Sequence, residues 1–465
     1  MRLSPLPAEE WDDAARHAVA IMLPEERRNP DDAGTLLSTL ARHPKLTRAY
    51  LKFSTYLLYG STLPPRIREL LILRVAHRRD CAYEWTHHVD MAADVGLTDA
   101  DIEAARTGQS TDPFDGALLR AVDERIKDMN AGGILASICF PSFPGFAGRL
   151  FATEDHDFSI ALVQAYNDWH IDEWCGAYPA RFIPMAIPVI WDAEECAKEV
   201  RRVAKKGVHA LTFTENPAAM GYPSFHSDYW KPLWDALCDT NTVMNVHIGS
   251  SGRLAITAPD APMDVMITLQ PMNIVQAAAD LLWSKPIKEY PDLKIALSEG
   301  GTGWIPYFLE RADRTYEMHS TWTHQDFKGK LPSEVFREHF LTCFISDKVG
   351  VALRNEIGID NICWEADYPH SDSMWPGAPE ELWDVLSLNN VPDDEIKKMS
   401  YQNAMRWYSF DPFSHITEAQ ASVGALRKAA EGHDVSIQAL SKHQHGGASF
   451  ADFAANAKEL TGNKD

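Results

Sequence analysis

Over the first 129 residues apolar side chains recur every three or four positions. Leu36-Leu37-x-x-Leu40, the stretch from Leu63 through Leu70-Leu71-Ile72-Leu73, and Leu118-Leu119-x-x-Val122 carry the pattern, which predicts helices. Breaks fall at Asn29-Pro30, His43-Pro44 and Pro64-Pro65, and Gly96-Leu97-Thr98-Asp99 holds an N-cap signal. No strand is predicted in this part. From residue 130 the texture changes to short apolar runs alternating with amphipathic stretches. The predicted strands are Ile134–Phe140, Phe182–Ile190, Ala210–Phe213, Val243–Ile248, Ile295–Ser298, Leu341–Ile345 and Ile362–Trp364. Between them lie helical stretches such as Ala193–Lys206, Tyr229–Thr240, Met272–Tyr290 and Gly303–Tyr316. Strand-then-helix order at this spacing predicts a parallel sheet wrapped by helices. Polar residues at the strand ends favour a (β/α)8-type barrel, of which seven strands are recognisable and the first is not. From about residue 414 the pattern decays. The organisation expected is a helical domain over 1–129, a barrel over 130–413, and a helical or partly disordered tail over 414–465.

Composition narrows the function classes. A length of 465 residues suits two domains, and 45% hydrophobic content is that of a globular protein. The formal charge of −22 repels nucleic acid and anionic membrane surfaces, so neither is expected as a partner. Seven scattered cysteines without a C-x-x-C pair suit free thiols in a reducing cytoplasm. The N-terminal stretch has no apolar signal core, and no run approaching 18 apolar residues is expected to span a membrane.

Chemistry-bearing residues cluster at three strand ends. His247 follows Val246, Glu299 follows Ser298 and precedes Gly300-Gly301, and Trp364-Glu365-Ala366-Asp367-Tyr368-Pro369-His370-Ser371-Asp372 closes the last strand. Each has a plain structural alternative. A lone His is commonly a hydrogen-bonded structural group, Glu299 would suit a helix start, and Asp367 a turn. A barrel nevertheless gathers its strand C-termini around one axis, so residues far apart in sequence can share one site. In the helical part, Glu84 and His88 are four residues apart with Cys81 a turn earlier, a spacing that puts a carboxylate, a thiol and an imidazole on one helix face.

These residues carry two resemblances. Phe140-Pro-Ser-Phe-Pro144, His247-Ile-Gly, Ser298-Glu-Gly-Gly301 with Trp304-Ile-Pro-Tyr-Phe-Leu-Glu310, Asp367-Tyr-Pro-His-Ser371 and Asn403-Ala-x-Arg406-x-Tyr408 make residues 132–410 resemble the amidohydrolase-related family that includes aminocarboxymuconate-semialdehyde and resorcylate-type decarboxylases. The resemblance implies a TIM barrel with a divalent metal, usually zinc, held by His247 and Asp367. It leaves Glu299, standing where the family has a His, to move protons, and His370 to orient substrate or a ligand. The family's first strand, with its His-x-His ligands, has no counterpart before Gly132. Asp155-His156-Asp157 and Asp168-Trp169-His170 are the nearest substitutes. Residues 30–125 resemble the carboxymuconolactone decarboxylase and AhpD-type family through Glu69, Cys81, Glu84 and His88, truncated before its last helices. Glu84 stands where a second cysteine would allow dithiol turnover, which argues against peroxidase chemistry of that kind.

The function expected is therefore a metal-dependent carboxy-lyase or hydrolase acting on a small carboxylated, aromatic- or lactone-derived substrate, in a homo-oligomer. The alternatives are a degenerate fusion serving as a scaffold, or hydroperoxide or lactone chemistry in the helical domain through Cys81 and His88.

Overall fold

The computed structural model describes residues 4–436 except 56–57, 59–63, 79–80, 113–114, 117–118, 120, 142–143 and 154, together with residue 451. Sequence features at Leu63, Leu118, Ser142, Phe143 and 452–465 lie outside the described residues. The chain forms two units, one of residues 1–126 with 153–159 and the other of 127–152 with 160–465. The boundary expected after residue 129 thus falls inside the helix Ala121–Ala131, and the segment after 414 belongs to the second unit.

The first unit is helical, and no strand occurs among its described residues. Its principal helices are Pro30–Leu40, Pro44–Thr55, Pro65–Arg78, Ala82–Asp94 and Asp99–Thr107. Their starts follow the caps. Asn29 Oδ1 accepts from the Asp32 amide at 3.0 Å, and Thr98 and Asp101 form a reciprocal capping box. Leu70, Leu73, Ala92, Ala105 and Leu119 bury the faces that the apolar spacing marked.

The second unit holds seven parallel strands in chain order: β1 (Ser137–Ile138), β2 (Phe182–Ile183), β3 (Ala210–Thr214), β4 (Val243–His247), β5 (Ile295–Ser298), β6 (Phe340–Phe344) and β7 (Ile362–Trp364). β1 pairs with β2, and β3 to β7 form one continuous sheet. A single bridge between Ala186 and Leu211 joins the two groups. The first two strands are shorter than predicted, because Pro141, Pro184 and Pro188 lack the N–H a central strand must donate. No ladder joins β7 to β1 among the described residues, and this is where the absent first strand of an eight-stranded barrel would stand.

Alternation along the strands sorts the core. Ala210, Val243, Ala296, Leu341 and Cys363 face the interior with Trp407 and Tyr408, whereas Leu211, Phe213, Met244, Val246, Ile295, Leu297, Phe340 and Phe344 meet the helical layer. The closing Asn-Ala-x-Arg-x-Tyr stretch has a structural task. Asn403 Nδ2 donates to the carbonyls of Ile359 and Ile362, each at 2.8 Å, and the Tyr408 hydroxyl donates to Asn245.

Met263–Leu282 is long and apolar enough to cross a membrane, with a mean hydropathy of 1.2. Here it breaks at Gln270-Pro271 into two helices, and Ile274, Ala277, Ala278, Leu281 and Leu282 of the second are buried.

Candidate metal centre

Strand register brings the candidate residues to one end of the sheet. Thr214 of β3 pairs with His247, and His247 with Ser298, so the last residues of β4 and β5 are level. Glu299 then adopts a left-handed φ of 64° and Asp367 one of 47°, a conformation that side-chain-bearing residues seldom take. These turns give the carboxylates of Glu299 and Asp367 a common focus. Glu299 Oε2 lies 2.9 Å from His247 Nε2, and His370 Nδ1 lies 2.8 Å from Asp367 Oδ1 and 3.5 Å from Glu299 Oε1. Ligand atoms of Glu299, Asp367 and His370 fall within 4.8 Å of one another.

Two neighbouring loops are braced by carboxylates, that of Glu215 buried and that of Asp347 half-buried. Asp347, after β6, accepts from the amides of Thr302 and Gly303 at 2.7 and 2.6 Å and from that of Gly350 at 2.8 Å. A Cβ at Gly300 would meet Ile274 at 2.0 Å, so no side chain fits beside Glu299 there. Glu215, at the end of β3, accepts from the Ser251 amide at 2.7 Å, from the Ser251 hydroxyl at 2.6 Å, and from the Ser250 hydroxyl. That fixes the loop leaving His247. The imidazole itself stacks on Phe146, with centroids 4.2 Å apart, and meets Phe140 edge-on. Its Nδ1 lies 2.8 Å from the carbonyl of Ile248. A carbonyl can only accept, so Nδ1 carries a proton and Nε2 faces Glu299. At 2.9 Å, a second proton or a cation must lie between Nε2 and that carboxylate.

The electrostatics are those of a site with excess negative charge. Burial acts to raise the Glu299 carboxyl, but the hydrogen bond and charge of His247 outweigh it and hold it below the usual range. Burial likewise acts to lower His247, and Glu299 reverses this. Asp367 is pushed up to about 6 by burial and by the charge of Glu299. Glu365 was not singled out by sequence. It stands just past β7, two residues after Cys363, and so faces the interior, where burial pushes it up to about 7 and the Cys343 thiol donates to its Oε2 at 2.9 Å. Period-two alternation was the signal that could have found it.

Asp367 Oδ2 and Glu365 Oε1 are buried without any hydrogen-bond partner. No Lys or Arg pairs with Glu299, Glu365 or Asp367 among the described residues. An orphaned carboxylate oxygen beside two more acids fits a bound cation, and oxygen and imidazole donors suit a divalent one. The substitutes considered for the first-strand ligands do not join this group. Asp168 is tied to Arg202 and Lys206, and Asp155 caps a helix through the Phe158 amide. His170 is buried with Cys175, its pKa lowered to about 4 by burial.

The candidates in the first unit gather separately. Glu69 is fully buried and lies 2.6 Å from His88 Nδ1, while Arg68 holds its other oxygen at 2.9 Å. Glu84 reaches His88 Nε2 at 3.3 Å, and Cys81 occupies the N-cap position of the same helix.

A parallel barrel with convergent acids and imidazoles at its strand C-termini is the architecture of a metal-dependent hydrolase or lyase. The sequence model of the amidohydrolase family matches residues 87–410, and the chain belongs to that family of enzymes. The carboxymuconolactone decarboxylase family model matches residues 44–124, so the two patterns overlap from residue 87 onward, in sequence that folds as helices. Comparison with curated proteins finds no match. Among solved structures, a 5-carboxyvanillate decarboxylase from Sphingomonas paucimobilis is similar at a TM-score of 0.51 and 20% identity, covering 74% of this chain and 95% of its own. A 5-carboxyvanillate decarboxylase from Novosphingobium aromaticivorans, with bound manganese and 3-methoxy-4-hydroxy-5-nitrobenzoic acid, is similar at 0.50 and 20% identity, covering 69% and 92%. An amidohydrolase from Mycobacterium avium subsp. paratuberculosis is similar at 0.50 and 21% identity, covering 65% and 81%. At such identities these likenesses establish the barrel fold.

Proposed function

We propose that the barrel is a divalent-metal-dependent carboxy-lyase that removes CO2 from a small carboxylated aromatic substrate. The observation that carries this reading is the buried, partnerless Asp367 Oδ2 within a cluster of acids and imidazoles that no fixed cation neutralises. His247 Nε2, Glu299 and Asp367 would hold the ion. His247 has its Nδ1–H tied to a backbone carbonyl, the arrangement that aims the other ring nitrogen of a ligating histidine. Three protein ligands, drawn from β4, β5 and β7, make a full set without the missing first strand.

When bound, the ion supplies Lewis acidity and a fixed anchor for a substrate oxygen. The chain's own residues supply the rest. His370 is 63% exposed and stands at the rim, with Nδ1 engaged by Asp367 Oδ1, so its Nε2 is the nitrogen available to orient substrate or to pass a proton to the ring carbon. Phe140 and Phe146 shield the His247 face from water, which strengthens each charge interaction behind them. The decarboxylases among the structural relatives, one holding manganese, support decarboxylation over hydrolysis and manganese beside zinc as the ion. Seven free cysteines support a cytoplasmic setting.

The test is metal analysis joined to CO2 release from 5-carboxyvanillate and 2-hydroxybenzoate. The expected result is about one equivalent of bound divalent ion, lost in His247→Ala. Wild-type protein with less than about a tenth of an equivalent, after growth with manganese or zinc, would sink the reading.

A second reading places proton-transfer chemistry in the helical unit, favoured by the buried Glu69–His88 contact of 2.6 Å on the helix that starts at Cys81. Hydroperoxide and lactone turnover unchanged in Cys81→Ser would remove it.

A further inference from the structure

Resting on the reading of the barrel mouth just given, we infer that Asp128 is a positioning residue for Asp367 and His370, acting through Tyr368 and braced by the segment that follows the barrel. The turn bearing those two groups is exposed at its tip, from Pro369 to Asp372. Its restraint comes from elsewhere in the chain. Tyr368, next to Asp367, donates its hydroxyl to Asp128 Oδ2 at 2.9 Å. Trp375, at the far end of the same loop, donates its indole N–H to the Asp128 carbonyl at 2.7 Å. The two rings also meet, with centroids 5.2 Å apart. One residue, 240 positions upstream, therefore grips both ends of the loop.

The second oxygen of Asp128 is taken by the C-terminal segment, where His433 Nε2 lies 2.8 Å from Asp128 Oδ1. The helix Val423–Ala429 leads to His433 and lies across the same place. Arg427 donates to the carbonyls of Ala131 and Pro376 at 3.2 and 3.0 Å and makes a forked pair with Glu380. Packing is close enough to require glycine: a Cβ at Gly132 would stand 2.7 Å from Trp375, and one at Gly133 2.8 Å from Val423. A carboxylate with both oxygens and its carbonyl committed, in half-buried surroundings, is a rigid node, since each charge-assisted bond contributes more than a neutral one. The node restrains Tyr368, and Tyr368 restrains the strained φ at Asp367.

Tyr368→Phe is the cleanest probe because it deletes one oxygen and keeps the ring; Asp128→Asn is the companion. Two measurements on the full chain separate this inference from the reading beneath it. Amide hydrogen exchange over residues 366–376 in metal-free protein should quicken about tenfold in Tyr368→Phe while exchange in β3 to β6 stays put. Exchange unchanged in both variants overturns the inference, whether or not the protein binds metal. Manganese affinity by calorimetry should fall about tenfold in both variants, the effect expected of a group that orients a ligand. Variants that remain folded, with affinity within about twofold of wild type, also overturn it. A wild-type protein that binds no manganese would instead remove the metal reading and leave the exchange result to decide.

Discussion

Among the described residues, two clusters set more than one carboxylate against an imidazole, and they differ in whether their charges close. In the helical unit, His88 sits between Glu69 and Glu84, and Arg68 takes the remaining oxygen of the buried Glu69. A guanidinium supplies fixed positive charge there, and every group in that chain has a partner. At the barrel mouth three acids, Glu299, Glu365 and Asp367, face two imidazoles, with no lysine or arginine joined to them among the described residues and two carboxylate oxygens left bare. Burying uncompensated charge is costly, so the second cluster is stable only with protons or a cation added. The lesson is that proximity of the same residue types does not define a metal centre; the unpaired remainder does.

The largest effect that would sharpen this contrast is at Asp367. Asp367→Asn should weaken manganese binding by about 100-fold or more, whereas Glu69→Gln should leave it within about twofold. Equal affinities for wild type and Asp367→Asn by calorimetry would erase the distinction between the clusters. Glu69→Gln should show its loss in stability instead, on the order of 3 kcal/mol in urea denaturation, because it removes the buried carboxylate that partners both Arg68 and His88.

The pH dependence of metal binding comes next. Asp367 holds its proton up to about 6, and an ion must displace it. Affinity should therefore fall steeply as pH drops through that value, and it should still rise above it because His247, whose pKa Glu299 raises, must also give up its Nε2 proton; proton release should be visible as buffer-dependent calorimetric heat. A pH-independent affinity between 5 and 7 would contradict the assignment of Asp367.

Away from both clusters, His170 offers a stability probe. Burial lowers it to about 4, below its value of about 6.5 in the unfolded chain. The unfolded state thus binds the proton first, so the stability is fully present above pH 6.5 and lost as pH falls toward 4. Between pH 7 and 5 wild type should lose about 2 kcal/mol more than His170→Gln in parallel urea titrations. Parallel losses would show that the ring is hydrated in solution. The smallest effect belongs to Glu84, which is 41% exposed: Glu84→Gln should alter stability by no more than about 0.5 kcal/mol.

Much of this was legible in the chain. Five of the seven strands stand within a residue or two of where continuous apolar runs put them, because strands buried on both faces need no polar alternation. β2 was overdrawn because Pro184 and Pro188, which cut it, sit inside an equally apolar run, whereas Pro141 stands directly after the run assigned to β1. His247, Glu299, Asp367 and His370 were visible as polar residues closing apolar ones, and β4 to β7 do bring them together. What spacing could not convey was the left-handed turn at Asp367 that lets His370 fold back onto it. Nor could it reveal the return of residues 153–159 to the first unit, which no apolar pattern marks.

The contact at Gly300 has a consequence for how this chain can change over generations. Replacing Glu299 alters chemistry and keeps the backbone path where the new residue tolerates a left-handed φ, but any replacement at the next codon drives a methyl group into Ile274 and moves the whole turn. A saturation library across 298–303 should therefore recover folded variants with several residues at 299, Gly, Asn and Asp foremost, and almost none other than Gly at 300. Adjacent codons then differ sharply in mutational freedom, and the inherited glycine leaves its neighbour room to explore new reactivity.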